Sequence, residues 1–255
     1  MSFAVAAEAY DRFMGRYSVP LAPLFADFAG VAPGERVLDV GCGPGALTAE
    51  LVDRVGAANV SAADPSEPFV EALRERHPDV DARQAAAEDL PFENDAFDRS
   101  LAQLVVHFMA DPVAGLREMA RVTRTGGFIA ASVWDHGGGQ GPLSVWWRVV
   151  HELDPEALGE GHLAGATAGD LTRLFESAGL NDVDEEPLQI SVQHESFEEW
   201  WEPYTLGVGP AGAYVASLDD DRREQLRARC EELLSETPIV ISARAWAARA
   251  RVAAT

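Results

Sequence analysis

The feature that most constrains the fold of this chain is a regular alternation of short apolar runs and amphipathic helical patterns over residues 35–135. Each apolar run has the length of one strand, and each stretch between two runs has room for one helix. This alternation is typical of a parallel sheet covered by helices, because parallel strands need long crossover connections. The predicted strands are 35–41, 58–64, 80–86, 97–108 and 128–135, and the predicted helices are 46–55, 68–77 and 112–121.

The second half of the chain departs from this alternation. Two of its segments, 136–168 and 196–236, fall outside the β/α order and hold four of the six tryptophans of the chain. We expect these segments to be insertions that form a helical cap. The remaining patterns are helical at 144–153, 170–180, 197–207 and 218–236, and strand-like at 183–194, with a break near Pro187, and at 238–252.

The strongest motif is VLDVGCGPGALT at residues 37–48, where a predicted strand passes through three glycines into a predicted helix. Glycines at alternate positions let the backbone turn tightly and let a ligand lie against bare peptide groups, while the helix N-terminus favours negative charge. The spacing is GxGxG, whereas a dinucleotide fingerprint is GxGxxG. A tight strand-to-helix turn without a ligand is the alternative interpretation of the same glycines.

Asp64 adds a second signal, since it ends the next predicted strand. A carboxylate in that place can accept hydrogen bonds from both hydroxyls of a ribose. It can also cap the helix that follows, which is a common role for aspartate. Together with the glycine loop, Asp64 predicts a ligand that contains a nucleoside.

Three further stretches, AADPSEPF, AAAEDLPFENDAFD and HFMADPVAGLREMARVTRTGGFIAASVWD, follow the glycine motif. With it they resemble the class I S-adenosylmethionine-dependent methyltransferases, in particular small-molecule members similar to ubiquinone/menaquinone methyltransferases. The resemblance covers residues 35–135. It implies an α/β fold with a seven-stranded, mostly parallel sheet and helices on both faces, which is the Rossmann-like methyltransferase fold, here with helical cap insertions.

The resemblance also implies how a single domain over residues 1–255 is organised. Helices within 1–30 would lie over the cofactor, S-adenosylmethionine, and residues 31–135 would form the cofactor-binding core. The cap segments 136–168 and 196–236 would then hold the substrate.

Residue by residue, the resemblance assigns cofactor contacts along the carboxyl ends of the strands. The methionine moiety would lie against Gly41 and Gly43 near Asp39, with its ammonium at Gln103. Asp64 would hold the ribose. The positions near the adenine would be Pro65, Ser66, Ala87 and either Glu88 or Asp89, and candidates for the cofactor's carboxylate on the leading helix would be Tyr10 and Arg16.

The composition of the chain narrows the range of possible binding partners. The chain has 255 residues and a formal net charge of −22, and all 20 of its basic residues are arginine. Without lysine there is no Schiff base or P-loop lysine, and the negative charge argues against nucleic acid and anionic lipid as partners. A small molecule is the expected acceptor, and the oligomeric state is left open.

Cellular location is predicted from cysteine use and the absence of a targeting pattern. Two cysteines provide no disulfide framework, which fits a reducing compartment. The N-terminal segment has no signal-peptide pattern, and no apolar run approaches the roughly 20 residues of a membrane span. We therefore predict a cytoplasmic protein that does not bind membranes.

Methyl transfer from a sulfonium is an in-line displacement that needs positioning rather than a protein nucleophile. A hydroxyl acceptor would need a general base, and histidine is the usual choice near neutral pH. His107, at the end of the fourth predicted strand, and His136, after the fifth, are the candidates, and a structural or exposed histidine is the alternative for each. No metal site is predicted, because the consecutive side chains of 219–221 diverge on a helix.

Aromatic residues in or next to the insertions are the candidates for the substrate pocket. They could stack on a flat acceptor or surround the sulfonium through cation–π attraction. The alternative is that they form the core of the cap itself. The predicted set is Trp134, Trp146, Trp147, Trp201 and Tyr204.

Two alternatives to a methyltransferase remain at this stage. A nicotinamide-dependent oxidoreductase shares the fold class but has the other glycine spacing. A non-catalytic protein of the same fold could bind the cofactor without turnover.

Overall fold

The computed structural model of the chain describes residues 7–253. Within them, seven strands form one sheet in the spatial order β3-β2-β1-β4-β5-β7-β6. Strands β1 to β5 are parallel to their neighbours, whereas β7 is antiparallel to both β5 and β6. The strands are β1 (Val37–Val40), β2 (Val60–Asp64), β3 (Asp81–Gln84), β4 (Phe97–Gln103), β5 (Thr123–Trp134), β6 (Asp184–His194) and β7 (Ile239–Arg251). The predicted seven-stranded, mostly parallel sheet is confirmed.

Helices cover both faces of this sheet. The helices are α1 (Ala7–Tyr10), α2 (Arg16–Phe28), α3 (Ala46–Val55), α4 (Glu67–Arg76), α5 (Pro112–Val122), α6 (Ser144–Leu153), α7 (Asp170–Ser177), α8 (Phe197–Trp201), α9 (Gly209–Ser217) and α10 (Asp220–Leu233). Helices α2, α3 and α4 bury their apolar sides on one face, and α5 and α7 bury theirs on the other. The central strands are buried on both sides for this reason; all four residues of β1, for example, are buried.

The structure differs from the local predictions at β4, β6 and α9, among other places. Strand β4 stops at Gln103 rather than at residue 108, because Leu104 has a left-handed backbone (φ 62°) and Val106–Phe108 forms a single 3₁₀ turn. Pro187 does not interrupt β6, since β6 is an edge strand where the missing N–H is tolerated. Helix α9 was not predicted, and its small residues carry little helical periodicity.

The two predicted insertions pack against each other through α6 and α10. Their aromatic residues, together with Phe13 and Tyr17 from the N-terminal helices, form one buried cluster beside the sheet. None of the described helices has the length and the apolar character that a membrane span requires.

Candidate active site

A cavity of about 490 Å³ lies at the carboxyl ends of β1, β2 and β4. The strand order reverses beside β1, with β2 on one side and β4 on the other. In open α/β sheets such a reversal leaves a crevice where ligands bind. The volume lies within the roughly 300–1,000 Å³ of small-molecule sites.

The glycine loop between β1 and α3 forms one wall. Gly41 has a φ of +69°, and a Cβ atom there would lie 2.4 Å from the methyl groups of Val105. Gly43 has a φ of +52°, and no atom lies within 4 Å of the place of its missing Cβ. Gly41 is therefore required by packing, whereas Gly43 leaves bare backbone open toward the cavity.

Two carboxylates from adjacent strand ends line the same wall. Asp39 accepts a hydrogen bond of 2.6 Å from the Thr48 hydroxyl, and burial raises the pKa of Asp39 to about 7. Asp64 accepts hydrogen bonds from the backbone N–H of Gly43 (2.9 Å) and of Ser66 (2.8 Å). Burial raises the pKa of Asp64 as well, while the two backbone N–H donors oppose that rise.

The cavity suits a cationic ligand with a nucleoside. Arginine is absent from the described residues that line it, so the protein supplies no positive side chain to offset Asp39 and Asp64. Gln103 donates from Nε2 to the Ser18 carbonyl (3.0 Å), while its buried Oε1 has no partner and is free to accept from an ammonium group. The residues present therefore fit the charge and the size of S-adenosylmethionine.

Ten of the twelve predicted cofactor-binding residues line this cavity, namely Tyr10, Asp39, Gly41, Gly43, Asp64, Pro65, Ser66, Ala87, Glu88 and Gln103. The structure does not bring the other two there. Asp89 is exposed, and Arg16 pairs with Glu199 at 2.6 Å. Sequence reasoning missed Phe69, whose ring meets Tyr10 edge-on, although the apolar face of α4 was the available signal.

A second cavity of about 40 Å³ adjoins the first, and Tyr10, Leu104, His107 and Phe108 line both. It lies between the N-terminal helices, the ends of β4 and β5, and the cap. Its other lining residues are Phe13, Met14, Trp134, His136, Leu143, Glu160, Val208, Gly209, Pro210 and Ala211.

Both predicted histidines line this second cavity, and their rings lie 6.1 Å apart. His107 is buried in the 3₁₀ turn after β4, and its Nδ1 has no partner. Burial lowers the pKa of His107 to about 3. Burial also lowers the pKa of His136, an effect that the charges of Glu160 and Asp135 oppose. Both imidazoles are therefore neutral near pH 7.

Of the predicted substrate-pocket residues, Trp134 alone lines the second cavity. Trp146 and Tyr204 stack on each other inside the cap, with ring centroids 5.4 Å apart. Trp147 and Trp201 are likewise buried in that cluster. These four side chains are packed in the core of the cap, and none of them lines either of the two cavities.

Known proteins share sequence similarity with this chain. A family model described as a methyltransferase domain matches residues 38–131. A protein of Mycobacterium tuberculosis that carries no functional name is 30% identical over 214 residues, which cover 78% of this chain and 77% of that one. A second protein of that organism, named as an uncharacterized methyltransferase, is 37% identical over 135 residues, 53% of this chain and 52% of the relative. The chain thus spans about half the length of this second relative.

A named methyltransferase and a solved structure are also similar to this chain. Demethylmenaquinone methyltransferase of Beutenbergia cavernae is 39% identical over 101 residues, which cover 40% of this chain and 41% of the relative. The solved structure of the YcgJ protein of Bacillus subtilis superposes with a TM-score of 0.58 at 18% identity, covering 92% of this chain and 98% of that one, which concerns the fold alone.

Fold and site together define an α/β protein with a nucleoside site at the reversal point of its sheet. Within that class, the chain belongs to the class I S-adenosylmethionine-dependent methyltransferases. The predicted family and its cofactor, S-adenosylmethionine, are confirmed.

Proposed function

We propose that this chain transfers a methyl group from S-adenosylmethionine to a small apolar or aromatic acceptor. One observation carries the proposal: the large cavity at the glycine loop and the small cavity beneath the cap share a wall formed by Tyr10, Leu104, His107 and Phe108. Ligands in the two cavities would meet at that wall. Holding two reactants in line supplies most of what a displacement needs.

The residues of the large cavity have roles that follow from their chemistry. S-adenosylmethionine, when bound, supplies a methyl group activated by a positively charged sulfur. Asp39 and Asp64 offset positive charge, and Asp64 also offers its remaining lone pairs to the ribose hydroxyls. Gln103 Oε1 accepts from the ammonium. The adenine would lie among Pro65, Ser66, Ala87 and Glu88, and Tyr10 lines the same cavity.

The residues of the small cavity exclude water and orient the acceptor. Trp134 and Phe13 give it an apolar surface. His107, with a pKa of about 3, accepts a hydrogen bond but takes up a proton only at high cost. Where the accepting group must lose a proton, His136 is the better acceptor, since the nearby charges of Glu160 and Asp135 favour its protonated form.

Charge and cysteine chemistry support the remaining part of the proposal. A net charge of −22 disfavours nucleic acid as the methyl acceptor. Cys42 and Cys230 are both free and buried, which suits a reducing cytosol.

Calorimetry with S-adenosylmethionine and S-adenosylhomocysteine tests the cofactor assignment. We expect the wild type to bind both, and Asp64→Asn to bind at least about tenfold more weakly because a charge-assisted hydrogen bond is lost. Asp53→Asn, an exposed carboxylate on α3, is the matched control and should bind as the wild type does. Undiminished binding by the Asp64 variant would remove the assignment.

The two alternatives have their own tests. Binding of NADH, followed by its fluorescence, in place of S-adenosylhomocysteine would favour the oxidoreductase. Methyl transfer to any member of a broad panel of small acceptors would exclude a non-catalytic protein.

A further inference from the structure

Four carboxylates are buried among the described residues, and three of them have a source of positive charge. Asp135 accepts two hydrogen bonds from the guanidinium of Arg244, at 2.8 and 2.5 Å. Asp39 and Asp64 line the large cavity, which fits a cationic cofactor. Glu160 is the remaining one, and it lines the small cavity instead.

Glu160 is only 6% exposed, yet no cation of the described chain forms an ion pair with it. Its hydrogen-bond partner among the described residues is neutral: Trp147 donates from Nε1 to Glu160 Oε2 at 2.7 Å. This bond fixes the carboxylate beside the cavity. A buried carboxylate without a cation is costly, so a ligand that brings positive charge into the cavity is favoured.

The rest of the cavity wall suits the same ligand. Tyr10, Phe13 and Trp134 offer aromatic faces, which attract cations. The neutral imidazoles of His107 and His136 add no repelling charge. Arginine is missing from the described residues that line either cavity, so an anionic acceptor would find no counter-ion there.

We propose that Glu160 is a specificity-determining residue and that the acceptor is a small alkylamine that carries an aromatic ring. The inference rests on the proposed function and specifies its substrate class. The amine binds as an ammonium ion paired with Glu160 and loses one proton to His136 before transfer. The nitrogen lone pair then forms the C–N bond as the C–S bond breaks, and the bonding electrons stay on sulfur. Positive charge thereby moves to the nitrogen beside Glu160, which stabilises it.

The amine can bind in the small cavity only if part of the cap moves. The cavity of about 40 Å³ is smaller than the roughly 150 Å³ that admits a benzene-sized ligand. Part of its cap side is formed by Val208–Ala211, a segment that starts helix α9 and contains Gly209 with a φ of +61°. We expect the bound alkylamine to displace this segment.

The test is calorimetry on protein saturated with S-adenosylhomocysteine, using three probes of the same shape: phenethylamine, phenethyl alcohol and phenylacetate. We expect the wild type to bind phenethylamine about tenfold more tightly than either other probe, as a desolvated charge pair allows. Glu160→Gln should lose this preference while it keeps an acceptor for Trp147 Nε1. Glu156→Gln, on an exposed position of the same segment, should retain the preference.

Three outcomes would overturn the inference. They are equal or tighter binding of the alcohol or the acid, an unchanged amine preference in Glu160→Gln, and no binding of any probe to a protein that holds S-adenosylhomocysteine. Failure of the proposed function would show earlier and separately, as absence of S-adenosylhomocysteine binding before any probe is added.

Discussion

At the scale of single residues, the buried carboxylate of Asp39 in the cofactor cavity makes the stability of the folded protein depend on pH. Burial raises its pKa in the folded protein to about 7, against about 3.9 in an unfolded chain. The folded state therefore holds a proton that the unfolded state releases, and this residue makes folding less favourable as pH rises from about 4 to 7. We expect the cofactor-free protein to lose thermal stability between about pH 5 and 8 more steeply than Asp39→Asn.

Thermal unfolding of both proteins at the two pH values measures this difference. Asp53→Asn serves as the control, because its exposed carboxylate should leave the wild-type slope unchanged. Equal slopes for the wild type and Asp39→Asn would contradict the pKa of about 7. The same Asp39 variant should bind S-adenosylhomocysteine more weakly, since it keeps the bond from Thr48 but lacks the negative charge.

Gly41 gives a second prediction at this scale. Gly41→Ala would place a methyl group 2.4 Å from Val105 on a backbone with a φ of +69°. We expect a loss of about 2–4 kcal/mol in the free energy of unfolding, from strain together with overpacking, and a displaced glycine loop that binds S-adenosylhomocysteine poorly. Denaturant unfolding and calorimetry measure the two effects.

Gly179→Ala is the matched control for that substitution. Gly179 has a φ of +90°, but no atom lies within 4 Å of the place of its Cβ, and it does not line either cavity. It should lose about 1–2 kcal/mol from backbone strain and keep full cofactor affinity. A similar loss of affinity in both variants would mean that Gly41 has no special place in the site.

At the scale of elements, the N-terminal helices are fastened to the cap side of the sheet by polar contacts. Arg16 of α2 pairs with Glu199 of α8 at 2.6 Å, and the next residue, Tyr17, shares a 3.1 Å hydrogen bond with His194 at the end of β6. Arg16 thus holds two elements together. It does not line the cofactor cavity.

We therefore expect Arg16→Gln to leave the affinity for S-adenosylhomocysteine unchanged. Its free energy of unfolding should fall by no more than about 1 kcal/mol, because both partners are about one third exposed. Calorimetry and denaturant unfolding provide the measurements. A tenfold loss of affinity in this variant would restore the contact with the cofactor that the family resemblance implies for Arg16.

Elements also show how far the sequence predicts this structure. The strands and helices of residues 35–135 follow from periodicity and from glycine turns, and so do the cavity residues at the strand ends, because the carboxyl ends of parallel strands share one edge. The residues that line the acceptor cavity could not be predicted in this way. Trp146, Trp147 and Trp201 look like pocket residues in sequence, but whether an aromatic residue packs inside the cap or beside a cavity depends on tertiary contacts.

Glu160 illustrates the same limit from the opposite side. It lies in a polar stretch and begins a single 3₁₀ turn, so that no local pattern marks it as buried. Its burial arises only when α6 brings Trp147 against it. Likewise, the end of β4 at Gln103 depends on the left-handed backbone of Leu104, a conformation that a leucine in an apolar run gives no reason to expect.

At the scale of the whole molecule, acidic residues outnumber basic ones by 42 to 20. Even if every arginine were paired with a different carboxylate, 42 − 20 = 22 acidic groups would have no arginine. We expect added potassium chloride to raise the midpoint of thermal unfolding at about pH 8, because screening weakens net repulsion more than it weakens the exposed ion pairs.

Scanning calorimetry from about 0.02 to 0.5 M salt measures this effect, with a rise of about 2–4 °C for each kcal/mol gained in a chain of this size. The control is the same series at about pH 5, where partial protonation lowers the net charge and the rise should be smaller. A falling midpoint at pH 8 would show that the ion pairs outweigh the repulsion.

The tryptophans lie almost entirely on one side of the molecule, so their fluorescence reports mainly on that side. Trp134, Trp146, Trp147, Trp200 and Trp201 all belong to the buried cluster beneath and within the cap, whereas Trp246 lies on β7. Intrinsic emission therefore reports mainly on the cap half, and far-ultraviolet dichroism reports on the helices and the sheet. Loosening of the cap and melting of the sheet become separable events that can be followed without any added label.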